Sequence, residues 1–266
     1  MRARRWAAVA VAGLLATAGC AAADEDPAAA GASGPAAAGS GATGPVTVLA
    51  AASLTESFTA IGTKFEQLHP ALEVTFSFGG SSGLAQQIVS GAPADVFAAA
   101  SPATMKTVTD AGAAGGTPVT FVRNQLVIAV PKGNPKRLTS LSALAGPGVK
   151  VALCAPQVPC GAAAQNALAA AGAEVTPVTL EQDVKAALAK VKLGEVDAAL
   201  VYRTDARAAA ADVDGVEFPE SAGAINDYPI VALRDAPNPA GAAAFLSFVQ
   251  TPEAQQILTD AGFQRP

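Results

Sequence analysis

The chain has 266 residues, of which 51% are hydrophobic and 15% are charged, and its formal net charge is −5 at pH 7. This length is enough to bury one sizeable core or the cores of two small lobes. The acidic balance, the small number of aromatic residues and the lack of a basic stretch argue against a nucleic-acid partner.

The first 19 residues have the pattern of an export signal. Three arginines precede an apolar run at 6–18, which is too short to span a membrane and ends in Ala18-Gly19-Cys20. A cysteine directly after Ala-Gly is typical of bacterial lipoproteins, so we expect cleavage before Cys20, acylation of Cys20 and a lipid anchor on the extracytoplasmic face of the cell membrane. Secretion without an anchor is the alternative. Cleavage removes the three arginines and leaves a mature net charge of −8.

Residues 20–44 are mostly Ala, Gly, Ser and Pro, which is the composition of a flexible linker. The folded part is therefore expected from 45 to 266. Short strand-like runs alternate there with helical patterns, which predicts an α/β fold with largely parallel sheets. In chain order we predict a strand from Val46, helix 54–68, strand 74–78, helix 84–89, strand 95–99, a helix from Pro102, an extended run at 119–130, helix 138–144, strand 149–153, helices 161–171 and 181–193, strands 197–202 and 228–233, and helices 240–250 and 252–261.

The first helix is predicted to bury one apolar face, formed by Leu54, Phe58, Ile61, Phe65 and Leu68. Breaks near 123–125 and 226–228 divide the elements into two sets. We expect a first lobe of residues 45–123 and 228–266 and a second lobe of residues 124–227, joined by two strands that act as a hinge.

Two predicted strand-to-helix turns offer serine side chains, Ser53 in the first and Ser81 in the second. The N-terminus of a helix has unpaired N–H groups and the positive end of the helix dipole, so two such turns can bind a small anion. Ser53 and Glu56 also fit a capping box, in which Ser53 only caps its helix. The alanines before Ser53 favour binding, because small residues at the carboxyl end of a strand leave room for a ligand.

The segment at 79–83 has the form G-x-S-x-G, which is also found around the nucleophile of α/β-hydrolases. Such an enzyme needs a histidine base after the serine, and the one histidine, His69, precedes Ser81. No enzyme activity is therefore expected.

Four further residues lie where a predicted element begins or ends. Cys154 and Cys160 are expected to form a disulfide in an oxidising compartment, with free thiols or a metal site as the alternatives. Val184 follows Asp183 in the first turn of a helix, and Tyr202 ends a strand. Val184 and Tyr202 each fit either core packing or a contact with a ligand.

Lysine and arginine are absent from these turns. Hydroxyl and backbone N–H groups can bind a fully ionised anion without a buried positive charge, and they offer no acceptor to a protonated oxyanion.

Six segments, in order, resemble the molybdate-binding proteins of bacterial ABC importers, and the resemblance covers 45–266. It implies a type II periplasmic-binding-protein fold, a monomer, and an ABC permease as partner. The implied ligand is molybdate or tungstate, which brings the only metal, and no cofactor is implied. The segments are Ala50-Ala-Ala-Ser-Leu54, Ser81-Ser-Gly-Leu-Ala-Gln-Gln-Ile88, Gly91-Ala-Pro-Ala-Asp-Val-Phe97, Val158-Pro-Cys-Gly161, Asp183-Val184 and Val201-Tyr202.

The resemblance also implies a set of ligand donors. Ser53 and Ser81 would donate hydroxyl and backbone N–H groups, Cys160 and Val184 their backbone N–H groups, and Tyr202 its phenolic hydroxyl. The chain departs from the family at Cys160, where alanine is common, and at the position before Ser81, where a serine is often found. The choice between Ser81 and its neighbour Ser82 therefore stays open.

Two other classes of function remain as alternatives. One is a receptor of the same fold for sulfate, phosphate or ferric iron, although ferric iron would require a tyrosine pair with carboxylates. The other is an enzyme. A transcriptional sensor of this fold would need a DNA-binding segment where the export signal stands.

Overall fold

The structure is a computed structural model, and it describes residues 41–266. The predicted export signal, Cys20 and most of the predicted linker lie outside the described residues. Strands and helices alternate along the described range, so the prediction of an α/β fold is confirmed. None of the helices in this range is long and apolar enough to cross a membrane.

The strands of the described range form two five-stranded sheets. The first sheet has the order β2-β1-β3-β10-β4 and the second has the order β7-β6-β8-β5-β9. The strands are β1 (Gly44–Ala51), β2 (Leu72–Gly79), β3 (Val96–Ala98), β4 (Val119–Asn124), β5 (Leu126–Pro131), β6 (Val151–Cys154), β7 (Thr179–Glu181), β8 (Ala198–Tyr202), β9 (Val213–Val216) and β10 (Asn226–Ala232).

Helices connect the parallel strands. A single 3₁₀ turn, Ala52–Leu54, follows β1 and leads into the first helix. The helices are α1 (Thr55–Leu68), α2 (Ser81–Val89), α3 (Pro102–Asp110), α4 (Leu141–Leu144), α5 (Pro159–Ala171), α6 (Val184–Lys192), α7 (Arg203–Ala208), α8 (Pro239–Val249) and α9 (Pro252–Ala261).

Both sheets are mixed, so the prediction of largely parallel sheets is wrong. Strand β1 is parallel to β2 and β3, whereas β10 is antiparallel to β3 and β4. Strand β6 is parallel to β7 and β8, whereas β5 is antiparallel to β8 and β9. The antiparallel pairs involve the strands near the two passages between the sheets, β4 to β5 and β9 to β10. These strands need no helical crossover between neighbours.

Helix α1 buries its apolar face as predicted, with one exception. Phe58, Ile61 and Phe65 are fully buried, and Phe58 and Phe65 each pack edge-on against the ring of Phe245. Leu68 is 54% exposed, because it lies in the last turn of the helix, beyond this aromatic cluster.

Three short elements were not predicted: β7, α7 and β9. Strand β7 has three residues, Thr179–Glu181, and overlaps the segment predicted as helix 181–193 only at Glu181. Helix α7 begins directly after β8, with no glycine or proline between them to mark a boundary. Strand β9 contains Gly215 and two aspartates within or beside it, which hides its pairing with β5.

Candidate functional site

Four chain segments meet where parallel strands of the two sheets end. In the first sheet, the last residues of β1 and β2, Ala51 and Gly79, are paired neighbours. In the second sheet, the last residues of β6 and β7, Cys154 and Glu181, are also paired. The 3₁₀ turn and helices α2, α5 and α6 begin beyond these strand ends. This is the edge at which open α/β sheets bind ligands.

A small cavity lies among these helix N-termini. Its volume is about 20 Å³, slightly more than the ~10–15 Å³ that one ordered water needs on the same measure. The cavity is therefore on the scale of a small ion. The lining includes all five residues that the sequence singled out, Ser53, Ser81, Cys160, Val184 and Tyr202.

Ser53 lies in the 3₁₀ turn rather than at the cap of α1. Its hydroxyl is 2.8 Å from the hydroxyl of Tyr228, and the cap of α1, Leu54, makes no side-chain hydrogen bond. The predicted capping box of Ser53 and Glu56 is therefore wrong. The physical reason is that the 3₁₀ turn displaces the start of the α-helix by one residue, to Thr55, and Ser53 within this turn is only 3% exposed.

Ser81 is the first residue of α2 and is buried, and its Oγ accepts a hydrogen bond of 3.0 Å from the backbone N–H of Ala100. Ser82 points elsewhere, since its hydroxyl donates to the carbonyl of Gln157 at 2.7 Å and does not line the cavity. Of the two candidate serines, Ser81 is thus the one at the cavity. Gly80 precedes it without a side chain, and a Cβ there would overlap the carbonyl oxygen of Gln182 from the second half of the molecule.

Cys160 is the second residue of α5, after Pro159, and its sulfur is bonded to that of Cys154 at the end of β6. The disulfide ties the first turn of α5 to the strand before it. A Cβ on Gly161 would overlap the carbonyl oxygen of Ala155, so this turn packs tightly on its own loop. The N–H groups in the first turn of a helix have no partner within the helix, which leaves the Cys160 N–H available.

Val184 is the first residue of α6. Asp183 caps this helix by accepting a 2.9 Å hydrogen bond from the N–H of Ala186. Asp183 is the one carboxylate on the cavity lining, and this bond directs it into its own helix. Neither lysine nor arginine lines the cavity within residues 41–266. The positive potential of the site therefore comes from helix ends and hydroxyl dipoles.

Tyr202 ends β8 and is almost completely buried, and its hydroxyl accepts a 2.8 Å hydrogen bond from Nδ2 of Asn226. Its ring packs edge-on against that of Tyr228, with 5.8 Å between the ring centres. Burial, followed by the neighbouring Tyr228, raises the pKa of Tyr202 well above its usual value of 10.0. Both tyrosines stay protonated at neutral pH and can donate hydrogen bonds.

Asn226, Tyr228 and Asn124 were not predicted as site residues, although each lies just behind the cavity. The only signal that the sequence offers is that Tyr228 is one of two tyrosines. The tyrosine pair is one requirement of a ferric site, but the described residues hold no cluster of three or more His, Cys, Asp or Glu side chains suited to a metal ion.

Lys185, next to Val184, joins the two halves of the molecule. Its ammonium group is 2.7 Å from Glu56 of α1 and 3.2 Å from Asp205 of α7. The contact with Asp205 is an ion pair with a fully buried carboxylate. Burial lowers the pKa of Lys185, but the two carboxylates outweigh burial and raise the pKa above its usual value.

Comparisons with known proteins also indicate a solute-binding protein. The family model of bacterial extracellular solute-binding proteins matches residues 46–264. The molybdate-binding protein ModA of Mycobacterium bovis is 43% identical over 221 residues, which are 83% of this chain and 85% of that protein.

Two solved structures share the fold. The periplasmic molybdate-binding protein of Azotobacter vinelandii superposes with a TM-score of 0.70 at 23% identity, covering 83% of this chain and 99% of that one. The sulfate-binding protein SubI of Mycobacterium tuberculosis superposes with a TM-score of 0.71 at 19% identity, covering 83% and 86%. These likenesses confirm the predicted two-lobed fold, and family membership confirms that the chain is a binding protein rather than an enzyme. The chain belongs to the bacterial extracellular solute-binding protein family, the family of ModA.

Proposed function

We propose that this protein captures molybdate and tungstate in the cavity between its sheets and delivers them to the permease of an ABC importer. The observation that carries the proposal is the convergence of helix N-termini and three hydroxyl groups on an ion-sized cavity, on whose lining residues 41–266 place no lysine or arginine. The likeness to ModA of Mycobacterium bovis supports molybdate as the ligand.

The proposed contacts are neutral hydrogen bonds from five residues. Ser53 and Ser81 donate hydroxyl and backbone N–H groups, Cys160 and Val184 donate backbone N–H groups, and Tyr202 donates its hydroxyl. Hydrogen bonds to a charged acceptor are stronger than neutral ones, so several fixed donors can hold a dianion without a buried cation. Molybdate and tungstate have the same charge and shape, and the same donors serve both.

The proposal extends to the protein's motion and its place in the cell. Residues 45–123 with 228–266 form one lobe and residues 124–227 the other, and the two close over the ligand by bending at the two connecting strands. Acylation of Cys20 holds the protein at the outer face of the membrane as a monomer. The ion pair of Glu56 and Lys185, at 2.7 Å, is suited to hold the closed state.

Titration calorimetry with molybdate, tungstate and sulfate tests the ligand. We expect molybdate and tungstate to bind tightly and sulfate to give no heat, because a smaller tetrahedral ion leaves some buried donors unpaired. Heat from sulfate alone would leave the fold assignment unchanged and identify the cavity as a sulfate site. Silence with all three anions would refute an oxyanion site.

The site itself is tested by Tyr202→Phe and Ser81→Ala. Each removes one donor to a charged ligand and should weaken molybdate binding roughly 10- to 100-fold. Ser57→Ala is the matched control, because the Ser57 hydroxyl is also buried but donates to the carbonyl of Leu54 and does not line the cavity. Unchanged affinity in both site variants would disprove these contacts.

A further inference from the structure

We infer that Tyr228 and Asn226 are positioning residues that, with the backbone of Ala100, turn the protons of the three cavity hydroxyls toward the anion. This inference rests on the proposed function and deepens it, since it explains how the site distinguishes a fully ionised anion from one that carries a proton. A hydroxyl has one proton to donate and two lone pairs that accept. A donor behind each hydroxyl therefore decides which way its proton points.

The backbone fixes the direction at Ser81. The N–H of Ala100 lies 3.0 Å from Ser81 Oγ and can only donate, so the Ser81 oxygen is the acceptor. Ser81 is 2% exposed, and its free surroundings are the cavity. Its proton is left to point there.

The same residue, Ala100, fixes the direction at Tyr202 through its carbonyl group. The Ala100 carbonyl can only accept, and it lies 2.7 Å from Nδ2 of Asn226, which identifies this atom as the amide nitrogen. The second N–H of that nitrogen donates to the Tyr202 hydroxyl at 2.8 Å. Tyr202 therefore accepts from Asn226 and keeps its own proton for the cavity.

The chain of donors at Ser53 begins at Asn124. The backbone N–H of Gln125 donates to Oδ1 of Asn124 at 3.0 Å, so Nδ2 faces the other way, toward Thr204 at 2.9 Å and the Tyr228 hydroxyl at 3.5 Å. The Tyr228 oxygen accepts this long amide contact. In its 2.8 Å hydrogen bond with Ser53 Oγ either hydroxyl can be the donor by distance, and we assign Tyr228 as the donor because its oxygen already accepts from Asn124. Ser53, like Ser81, then presents its proton to the cavity.

The consequence is a set of three hydroxyls that accept hydrogen bonds from behind and donate into the cavity. A fully ionised tetrahedral anion has only acceptors and matches all three. Phosphate carries at least one proton at neutral pH, and that proton would face a hydroxyl hydrogen instead of an acceptor. The Asp183 carboxylate is the one carboxylate on the lining among residues 41–266, and its Oδ1 already accepts from the N–H of Ala186 in its own helix.

A double-mutant cycle with Tyr228→Phe and Ser53→Ala, measured by calorimetry with molybdate on the full chain, tests the coupling. Tyr228→Phe keeps the ring that packs on Tyr202 and Phe263. We expect each single variant to bind molybdate roughly 10-fold more weakly. The double variant should be no weaker than Ser53→Ala alone, because Tyr228 acts through Ser53.

Additive losses in the double variant, or unchanged affinity in Tyr228→Phe, would overturn the role of Tyr228. Competition between phosphate and molybdate gives a second readout. We expect Tyr228→Phe to narrow the preference for molybdate over phosphate, because the freed Ser53 oxygen can now accept a proton. If the preference of Tyr228→Phe for molybdate over phosphate is no narrower than that of the wild type, the inference is also overturned. The control variant Ser57→Ala should leave this preference unchanged. If the wild-type protein binds no molybdate, the proposed function fails together with this inference. If the wild type binds molybdate but the variants do not behave as expected, only this inference fails.

Discussion

Asp205 is a fully buried carboxylate that contacts both the backbone of the cavity and the ion pair beside it. Its Oδ2 accepts a 3.2 Å hydrogen bond from the N–H of Tyr202, and its Oδ1 lies 3.2 Å from the ammonium group of Lys185. Burial raises the pKa of Asp205 from 3.8 to about 6, although Lys185 acts in the opposite direction. The folded protein therefore holds a proton on Asp205 at pH values where the unfolded chain has lost it.

This shift makes part of the stability depend on pH. An acid whose pKa is raised on folding stabilises the protein fully below its unfolded pKa, and this contribution is lost as the pH rises through the folded pKa. Asp205→Asn does not titrate. Between pH 4 and pH 7 we expect the unfolding free energy of the wild type to fall relative to this variant, by roughly 1–3 kcal/mol.

Urea denaturation of both proteins at several pH values measures the difference. All other carboxylates are shared, so their titration cancels in the comparison. Parallel stability curves for the two proteins would contradict a raised pKa at Asp205.

At the residue scale, the sequence predicted the residues that face the cavity better than those that position them. The start or end of a predicted element marks the position of each cavity residue with a hydroxyl group, Ser53, Ser81 and Tyr202. Tyr228 and Ser53 are 175 positions apart, and Asn226 reaches Tyr202 only because two strands pass between the sheets. No local sequence pattern predicts contacts between residues so far apart. For the same reason the contact of Ser53 with Tyr228 was not predicted, and Ser53 was interpreted as a possible helix cap.

At the scale of elements, the starts of helices α2, α5 and α6 decide the chemistry of the cavity. Helix α5 differs from the others, because the disulfide of Cys154 and Cys160 attaches its first turn to β6. Closing a loop with a sequence separation of six residues reduces the freedom of the unfolded chain.

We expect the double variant Cys154→Ser/Cys160→Ser to lose about 2 kcal/mol of unfolding free energy, as the loop-closure estimate gives for so short a loop. Guanidinium denaturation measures the loss. A reductant should lower the stability of the wild type to that of the variant and leave the variant unchanged. Equal stability of oxidised wild type and double variant would show that the disulfide contributes nothing.

Elements with a clear boundary were predictable and the others were not. The caps of α3 and α9, Ser101 and Thr251, each precede a proline, and both side chains accept the expected backbone N–H. By contrast, β7 ends two residues before the Asp183 cap, so its last residue, Glu181, was predicted as the start of the following helix, and three residues are too few to show a strand pattern. The direction of β10 depends on contacts with β3 and β4, more than 100 residues away in the chain.

For the molecule as a whole, the proposed closure of two lobes depends on how closely they approach at the cavity. Gly80 of the first half lies against the Gln182 carbonyl of the second, with no space for a Cβ. Ser82 bonds to the Gln157 carbonyl nearby, so this side of the cleft is closed by direct contact. The backbone of Gly80, at φ −61°, is one that alanine adopts without strain.

Gly80→Ala should therefore fold normally and close poorly. We expect its unfolding free energy to stay within about 0.5 kcal/mol of the wild type, as for a change that the local backbone tolerates. Its affinity for molybdate should fall at least ~10-fold, because the methyl group keeps the two halves of the ligand cage apart. Small-angle scattering should show that molybdate compacts the wild type but not the variant.

Gly83→Ala is the matched control, since a Cβ at Gly83 in the same helix meets no atom within 4 Å. It should close and bind as the wild type does. If Gly80→Ala binds and compacts normally, the two halves need not approach this closely to hold the anion. If both variants lose affinity, the effect lies in α2 itself. Loss in Gly80→Ala alone would show that ligand affinity depends on contact between the lobes at Gly80 and Gln182, which are 102 positions apart in sequence.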